Sequence, residues 1–313
     1  MELLALKEVS KDFGKRRVLS DVNLSIDEGD IFGVIGESGS GKTTLLNMLV
    51  GFLEPTQGKA LYFAKTGHEA KDLNRNLSKI KKFLGFTPQH NSFYPKLTVE
   101  ENLFHFGQLY GLSKETLKHN VDNILQSTEL YDHRHKLAEH LSGGMQKRLD
   151  ISCSMVHKPK ILVLDEPTAD LDPVLQKEIS WLLQEANKQG ITIIIASHDL
   201  ESIENICNKV AIVHKGRVFS QGLLDDVKKP YFHDHFTINL RPGESKERIL
   251  AALKTLPIKR VIDEGHTLII YPADTEKTVS SLLNYIRQEN LYLHEMDMRK
   301  PSLHEIFERI VRE

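Results

Sequence analysis

The sequence predicts an α/β fold with a mostly parallel sheet, followed by a second and smaller α+β domain. A helical pattern over Val174–Lys188 lies among apolar segments of strand length, and this alternation is typical of a parallel sheet with crossover helices. The segments are Ile161–Leu164, Ile191–Ala196 and Val210–His214. The 313 residues suit two cores better than one, and Lys228-Lys229-Pro230 interrupts the pattern before a second αβ alternation. We therefore predict domains at 1–228 and 229–313.

The amino-terminal region is rich in strands and then becomes helical. Turn-rich stretches separate the expected strands Leu3–Val9, Leu19–Ile26 and Ile31–Ile35. From Thr43 to Val50 the apolar residues recur at helical spacing, and the pattern stops at Gly51. A strand, a glycine-rich loop and a helix are therefore expected to follow one another here.

A helical segment is expected inside the first domain. A strand over Phe83–Phe86 precedes it, and residues 98–158 show helical periodicity instead of alternation. Thr98 and Glu101 have the spacing of a capping box, in which two side chains satisfy free amides at a helix start. We predict an inserted helical subdomain over about residues 90–158.

The second domain is predicted to have a β-α-β-β-α-β order, as in small ferredoxin-like folds. The expected strands are Phe236–Leu240, Lys259–Asp263, Thr267–Tyr271 and Leu291–Met296, with helices near 245–256 and 275–289. Glu264-Gly265 provides a hairpin turn. A last helix is indicated by the capping pair Ser302 and Glu305. This domain carries no catalytic cluster, and we expect it to regulate the protein or to stabilise a dimer.

Composition and charge exclude several classes of protein. The 41 Lys and Arg residues nearly balance the 43 Asp and Glu residues, with no basic arm, so nucleic acid is not an expected partner. Cys153 and Cys207 lack the spacing of a disulfide framework or a metal site, which fits small core residues in a reducing cytosol. No apolar run approaches the ~18 residues that span a bilayer, and Met1 opens no secretory signal. We expect a cytoplasmic protein.

A phosphate-binding loop is the first motif that carries chemistry. The segment matches the pattern G-x-x-x-x-G-K-[ST] and consists of Gly36, Glu37, Ser38, Gly39, Ser40, Gly41, Lys42 and Thr43. Backbone amides of such a loop surround the phosphates of ATP, Lys42 is expected to meet the β- and γ-phosphates, and the Thr43 hydroxyl can bind Mg²⁺. A flexible glycine turn is the alternative, and the flanking strand and helix argue against it.

Two carboxylates end a predicted buried strand. Asp165 and Glu166 follow Ile161–Leu164, and in isolation they fit an ordinary solvated strand end. Beside a phosphate loop, Asp165 is placed to hold Mg²⁺ and Glu166 to polarise an attacking water. His198, beyond the next strand, could reach the same γ-phosphate, although a single histidine there is more often structural.

A second helix start offers another anion site. Ser142, Gly143 and Gly144 precede Met145-Gln146 and a helical stretch, so a hydroxyl and two glycine amides lie at a positive helix end. A helix cap without a ligand is the alternative. In their order and spacing, these motifs resemble the nucleotide-binding subunits of the ABC ATPase family, over about residues 1–225.

The resemblance assigns further positions. Phe13 is similar to the family's adenine-stacking aromatic, Gln89 to its Q-loop, Ser142–Gln146 to its signature, Asp172 to its D-loop and His198 to its H-loop. It implies a P-loop NTPase with a RecA-like core, an antiparallel β subdomain and a helical subdomain. The implied catalytic residues are Glu166, His198, Gln89 and Lys42, and the implied metal ligands are Thr43, Gln89 and Asp165. The implied nucleotide contacts are Phe13, Gly36 to Thr44, Ser142, Gly143, Gly144 and Asp172.

The resemblance also implies partners. Two chains, identical or paired, would hold ATP between them, and integral membrane permease subunits would recruit them to the inner face of the cell membrane. The residues just after Gln89 fit either a permease-binding groove or ordinary core packing: Phe93, Tyr94, Pro95 and Leu97. Met145 in the signature, together with the stretch from Tyr94 to Asn102 and the Pro301-Ser302-Leu303 helix, resembles multidrug, daunorubicin-type and sodium exporter ATPases. Glu37-Ser38 is closer to importers.

Two other classes of function are alternatives to a transport ATPase. A non-transport ABC ATPase, such as one of iron–sulfur cluster assembly, stays open on sequence alone. A binding module without turnover would need Glu166 or His198 to be replaced, and both are present.

Overall fold

The computed structural model describes residues 1–63, 70–232, 237–242, 246–299 and 302–312. The chain divides into two compact units, Met1–Leu224 and Asp225–Glu313. The predicted domain boundary after residue 228 falls within a helix that spans Leu224–Phe232.

The first unit is built from strands β1 to β10 and helices α1 to α7. Its strands are β1 (Glu2–Phe13), β2 (Arg16–Asp27), β3 (Ile31–Ile35), β4 (Gln57–Phe63), β5 (Ala70–Asp72), β6 (Leu84–Thr87), β7 (Ile161–Asp165), β8 (Thr192–Ser197), β9 (Lys209–His214) and β10 (Arg217–Leu223). Its helices are α1 (Lys42–Leu49), α2 (Leu77–Ile80), α3 (Val99–Leu109), α4 (Lys114–Ser127), α5 (Gly143–Met155), α6 (Pro173–Lys188) and α7 (Leu200–Ile206). Helix α8 (Leu224–Phe232) follows.

A six-stranded sheet forms the centre of the first unit, in the order β10-β9-β3-β8-β7-β6. The five strands from β9 to β6 pair in parallel, and β10 pairs antiparallel with β9 at the edge. The predicted mostly parallel sheet is therefore confirmed. Because Ile35, Ser197, Asp165 and Thr87 all end their strands at the same edge of this sheet, the segments that follow them meet there.

A second sheet has the order β2-β1-β4-β5, and every pair in it is antiparallel. This is the expected antiparallel β subdomain. One buried apolar cluster joins it to α1 and the parallel sheet, with Phe32, Leu45, Leu46 and Met48 at most 1% exposed. Each such side chain stabilises the fold by about 1.5–3 kcal/mol, which fixes the position of α1 and the loop before it.

The helical subdomain comprises α3, α4 and α5 around its own apolar cluster. The capping box predicted at the start of α3 is confirmed, since Glu101 N–H donates to Thr98 Oγ1 and Thr98 N–H donates to the Glu101 carboxylate. Phe93 is buried in this cluster, whereas Tyr94 is 48% exposed. Cys153 is buried here and Cys207 elsewhere in the unit, as expected of small core residues.

The second unit contains β11 (Thr237–Pro242), α9 (Lys246–Leu253), β12 (Ile258–Asp263), β13 (Leu268–Pro272), α10 (Thr275–Gln288), β14 (Leu293–Arg299) and α11 (Leu303–Arg312). The sheet order β12-β13-β11-β14 with antiparallel pairs throughout confirms the ferredoxin-like prediction. Ser302 and Glu305 form the predicted capping box. Phe236, predicted to start the first strand, and residue 245, predicted to start a helix, lie outside the described residues.

No helix in the described part of the chain is long and apolar enough to cross a bilayer.

Candidate active site

The loop between β3 and α1 folds around the ammonium group of Lys42. Lys42 Nζ donates to Gly36 O at 2.8 Å and to Glu37 O at 3.1 Å. Gly41 precedes α1 at φ +107°, and a Cβ there would lie 2.7 Å from Leu19 Cδ2, so both conformation and space demand glycine. No side chain caps this helix, which leaves its amides available to an anion.

Lys42 is a buried cation beside two carboxylates. Its side chain is 7% exposed, and its Nζ lies 3.9 Å from Glu166 Oε1. Burial lowers the pKa of Lys42, while Glu166 and Asp165 oppose that effect. A buried cation held by carbonyl oxygens can exchange those weak partners for phosphate oxygens when a nucleotide enters.

Asp165 and Thr43 together provide oxygen atoms that fit Mg²⁺. Asp165 ends β7, and burial raises the pKa of its carboxyl while a hydrogen bond with Thr43 and the charge of Lys42 lower it. One carboxylate and one hydroxyl next to a phosphate loop match the few protein ligands that Mg²⁺ takes when it binds a nucleotide. The described residues contain no cluster of three or more His, Cys, Asp or Glu side chains that would hold a metal by themselves.

Glu166 is held firmly in one orientation. Its backbone has φ +51°, a strained value for this residue type, and its N–H donates to Ala196 O at 2.8 Å. Its Oε2 accepts from Ser197 Oγ at 3.0 Å and from His198 N–H at 3.2 Å, and it lies 2.9 Å from His198 Nδ1. Its Oε1 faces Lys42. The carboxylate is thereby held next to the Lys42 ammonium group.

The second predicted anion site lies at the start of α5. Ser142 caps this helix by accepting from Met145 N–H at 3.4 Å, and Ser142 and Gly143 are exposed. A Cβ at Gly143 would meet nothing within 4 Å, whereas one at Gly144 would lie 2.5 Å from Leu175 Cδ2. Across the described residues, no hydrogen bond joins this helix start to the Lys42 loop. The two predicted phosphate sites are therefore not hydrogen-bonded to each other within the described part of one chain.

The remaining predicted site residues all lie in the first unit. Gln89 follows β6, is exposed, and its carbonyl accepts from Lys147 Nζ at 3.5 Å. Phe13 ends β1 and is 49% exposed, with Lys11 Nζ 5.3 Å from its ring centroid. Asp172 is exposed and caps α6 by accepting from the N–H groups of residues 174 and 175. In the loop, Glu37, Ser38 and Gly39 are exposed, whereas Ser40 is buried.

Sequence reasoning missed several residues of this region. Ser197 orients Glu166, and it follows an apolar run without any motif of its own. Lys147 is buried among the charges of Asp150, Asp170 and Asp165, and burial lowers its pKa. Ser40 Oγ is buried without a hydrogen-bond partner in the described structure. A sequence pattern would have assigned Lys147 to a solvated helix face, because only tertiary packing reveals its burial.

Comparison with known proteins agrees with this geometry. Residues 19–169 match the family described as "ABC transporter", and residues 222–311 match "ATP-binding protein DrrA1-3-like, C-terminal domain". The Nod factor export ATP-binding protein I of Ralstonia nicotianae is 31% identical over 98% of this chain and 93% of its own length. The linearmycin resistance ATP-binding protein LnrL of Bacillus subtilis is 28% identical over 97% of both chains.

Solved structures show the same fold. A dimeric ATP-binding cassette bound to ADP and phosphate, in a post-hydrolysis state, is 28% identical with a TM-score of 0.62 over 71% of this chain and 99% of that one. The phosphate loop and the strand-end carboxylates indicate the same family as the two domain matches and the relative that matches 98% of this chain. The chain belongs to the ATP-binding subunits of ABC transporters, a family of ATP-binding ATPases.

Proposed function

We propose that this chain hydrolyses ATP as a nucleotide-bridged dimer and thereby drives an exporter-type ABC transporter, whose membrane-spanning permease is a separate chain. The observation that carries the proposal is the held Glu166 carboxylate, which faces the buried Lys42 at the phosphate loop. A fixed general base next to a phosphate cradle is what hydrolysis of a terminal phosphate needs.

The site residues of one chain would bind the nucleotide, hold its metal and activate the attacking water. Amides of the Gly36–Thr43 loop and Lys42 Nζ would bind the phosphates, and Phe13 would stack on the adenine. Thr43 and Asp165, with Gln89 at the adjoining strand end, would hold Mg²⁺, which neutralises charge on the phosphates when bound. Glu166 would orient the attacking water and take up its proton, while Ser197 and His198 keep its carboxylate in place.

Two features support the dimer. Ser142 and Gly143 at the helix start are exposed, and among the described residues no hydrogen bond joins them to the phosphate loop, so they are available to the nucleotide of a second copy. The amides and hydroxyl of this helix start would then meet the γ-phosphate from the side opposite Lys42. Asp172 caps α6, whose Leu175 packs beside Gly144. The dimeric relative bound to ADP and phosphate has the same fold.

The coupling to export rests on relatives. The proteins named for Nod factor export and linearmycin resistance match this chain along nearly its whole length, including the second unit. The permease would hold the dimer at the cytoplasmic face of the membrane, with the exposed Tyr94 available to it. The rival assignment to iron–sulfur cluster assembly gains no support, because the second unit matches the DrrA1-3-like C-terminal domain and a daunorubicin resistance ATP-binding protein of Streptomyces coeruleorubidus matches 95% of this chain.

Release of phosphate from ATP tests the proposal. We expect the wild-type chain to hydrolyse ATP only with Mg²⁺, and Glu166→Gln to lose at least about a hundredfold in kcat because the water loses its base. Nucleotide affinity should stay within about twofold, because the phosphate loop is untouched. Normal turnover in Glu166→Gln would overturn the mechanism, and absent turnover in the wild type would overturn the function.

A further inference from the structure

The short segment Gln89–Ser92 connects β6 with the helical subdomain, and three of its residues are hydrogen-bonded to α5. Lys147 Nζ donates to Gln89 O at 3.5 Å, and Asn91 Nδ2 donates to Gln146 Oε1 at 3.4 Å. Asp150 Oδ1 accepts from Ser92 N–H at 2.8 Å and from Ser92 Oγ at 2.6 Å. These contacts join the segment to the first two turns of the helix that begins at Ser142–Gly144.

The two charged members of this contact set are deeply buried. Asp150 is 0% exposed and Lys147 is 7% exposed, so each would be costly without a partner. Burial raises the pKa of Asp150, and its bonds with Ser92 and the charge of Lys147 oppose that rise. Buried groups of this kind hold their partners in one geometry, and the cost of removing one is large.

The charge of Lys147 also acts on carboxylates at and after the end of β7. It interacts with Asp165 at the end of β7 and with Asp170, which lie on either side of Glu166 in the chain. In the proposed dimer, one chain contributes two half-sites. The start of α5 serves the partner's nucleotide, and Asp165 and Glu166 serve this chain's own nucleotide. Lys147 therefore bonds to the backbone of Gln89 and is also coupled by its charge to Asp165.

We propose that Lys147 and Asp150 are positioning residues for ATP hydrolysis, which lock the Gln89–Ser92 backbone to the Ser142–Gly144 helix so that the two half-sites of one chain move together. This inference rests on the proposed function and deepens it. Neither residue touches the reacting atoms. Each acts through the backbone that places Gln89 and through the helix that places the Ser142 anion site.

The test compares Asp150→Ala with a matched control, Ser152→Ala. Ser152 is buried on the same helix, but its hydroxyl bonds back to Arg148 O and not to the segment. We expect Asp150→Ala to lower kcat about tenfold while the ATP affinity stays within about twofold, because positioning affects the transition state more than binding. Asp150→Asn, which keeps an acceptor for Ser92, should recover part of kcat, and Ser152→Ala should keep kcat.

A second measurement is independent of turnover. Amide hydrogen exchange in peptides covering residues 89–93 should speed up at least about tenfold in Asp150→Ala and stay unchanged in Ser152→Ala, because Ser92 N–H loses its acceptor. Lys147→Ala should lower kcat in the same way, since it frees Gln89 O. If Asp150→Ala does not fold, Ser92→Ala removes the hydroxyl half of the contact from the segment side, and a loss of kcat is expected there too.

The outcomes separate this inference from the proposed function. Unchanged exchange over 89–93, unchanged kcat in Asp150→Ala, or equal losses in Ser152→Ala would overturn the positioning role. If the wild-type chain hydrolyses no ATP, the proposed function fails, and the exchange measurement still decides whether Asp150 holds the segment.

Discussion

At the scale of single residues, the site depends on charges that are buried before any ligand arrives. Lys42, Asp165 and Glu166 are each at most 7% exposed and lie at one edge of the parallel sheet. Such an arrangement costs folding free energy, because charged groups lose water that their neighbours only partly replace. A nucleotide with its metal would supply the missing partners, so stability and function oppose one another here.

Replacement of Lys42 should weaken nucleotide binding itself. Lys42→Ala removes the cation that the phosphate loop surrounds, and we expect ATP affinity to fall at least about tenfold, or about 1.4 kcal/mol. Lys79→Ala, which removes an exposed lysine of the same unit, is the control. Equilibrium binding of ATP provides the measurement, and equal affinity in both variants would contradict the role of Lys42.

Replacement of Asp165 should raise the thermal stability of the protein and lower its turnover of ATP. Its folded pKa is raised above the value of 3.8, so the folded state favours the protonated form, and the ionised carboxylate destabilises the fold once the pH exceeds that value. Asp165→Asn should therefore raise Tm at pH 7 in the presence of EDTA, with the gain shrinking as the pH falls toward 4. Thermal unfolding at several pH values checks this. The same variant should lose Mg²⁺-dependent hydrolysis, and a lower Tm at pH 7 would contradict the account.

At the scale of elements, the sequence predicts the strands, helices and caps whose positions follow from the local pattern of apolar and turn-forming residues. The strand β3, the loop Gly36–Thr43 and the helix α1 follow from apolar runs and glycines, and they occur within one residue of the prediction. The capping boxes at Thr98 and Ser302 follow from residue spacing alone.

Other elements could not be predicted because tertiary pairing creates them. The strands β4, β5 and β10 are missing from the sequence-based prediction: β5 has three residues, and β10 alternates half-buried and exposed positions. The register of β4 comes from β1, which lies far away in the chain, while β5 pairs with β4 and β10 with the preceding β9. The burial of Lys147 and the contact of Ser197 with Glu166 also depend on neighbours that no local pattern encodes.

One contact between elements should make the first unit sensitive to acid. His157, which follows α5, is stacked on Tyr110 at 3.5 Å between ring centroids, and its Nε2 lies 3.0 Å from Leu84 O in β6. Burial lowers the pKa of His157 from 6.5 to about 4. Because the unfolded chain binds this proton more readily, the contribution of His157 to stability is present above pH 6.5 and is lost as the pH falls toward 4.

Removing the titrating group should remove that loss. His157→Phe keeps the ring stack, and Leu84 O retains the Tyr110 hydroxyl at 3.4 Å. The free energy of unfolding of the wild type should drop by up to about 3 kcal/mol more than that of His157→Phe between pH 6.5 and 4. Denaturant titrations measure this, with the exposed His266→Gln as control. Parallel pH profiles in wild type and His157→Phe would contradict the prediction.

At the scale of the whole molecule, every residue of the candidate site lies in Met1–Leu224. In the proposed mechanism the site of one chain is nonetheless incomplete, because the exposed Ser142 helix start and the Lys42 loop form two separate anion-binding surfaces. A nucleotide between two chains would complete both. We therefore expect ATP to join two copies of this protein and its hydrolysis to separate them.

Sedimentation velocity of Glu166→Gln with and without Mg²⁺ and ATP tests that claim most directly. Its control adds Ser142→Phe, which places a bulky side chain at the exposed start of α5. We predict that ATP converts Glu166→Gln from monomer to dimer, while the double variant binds ATP and stays monomeric. A Glu166→Gln chain that stays monomeric with ATP bound, or a double variant that dimerises equally well, would contradict the account.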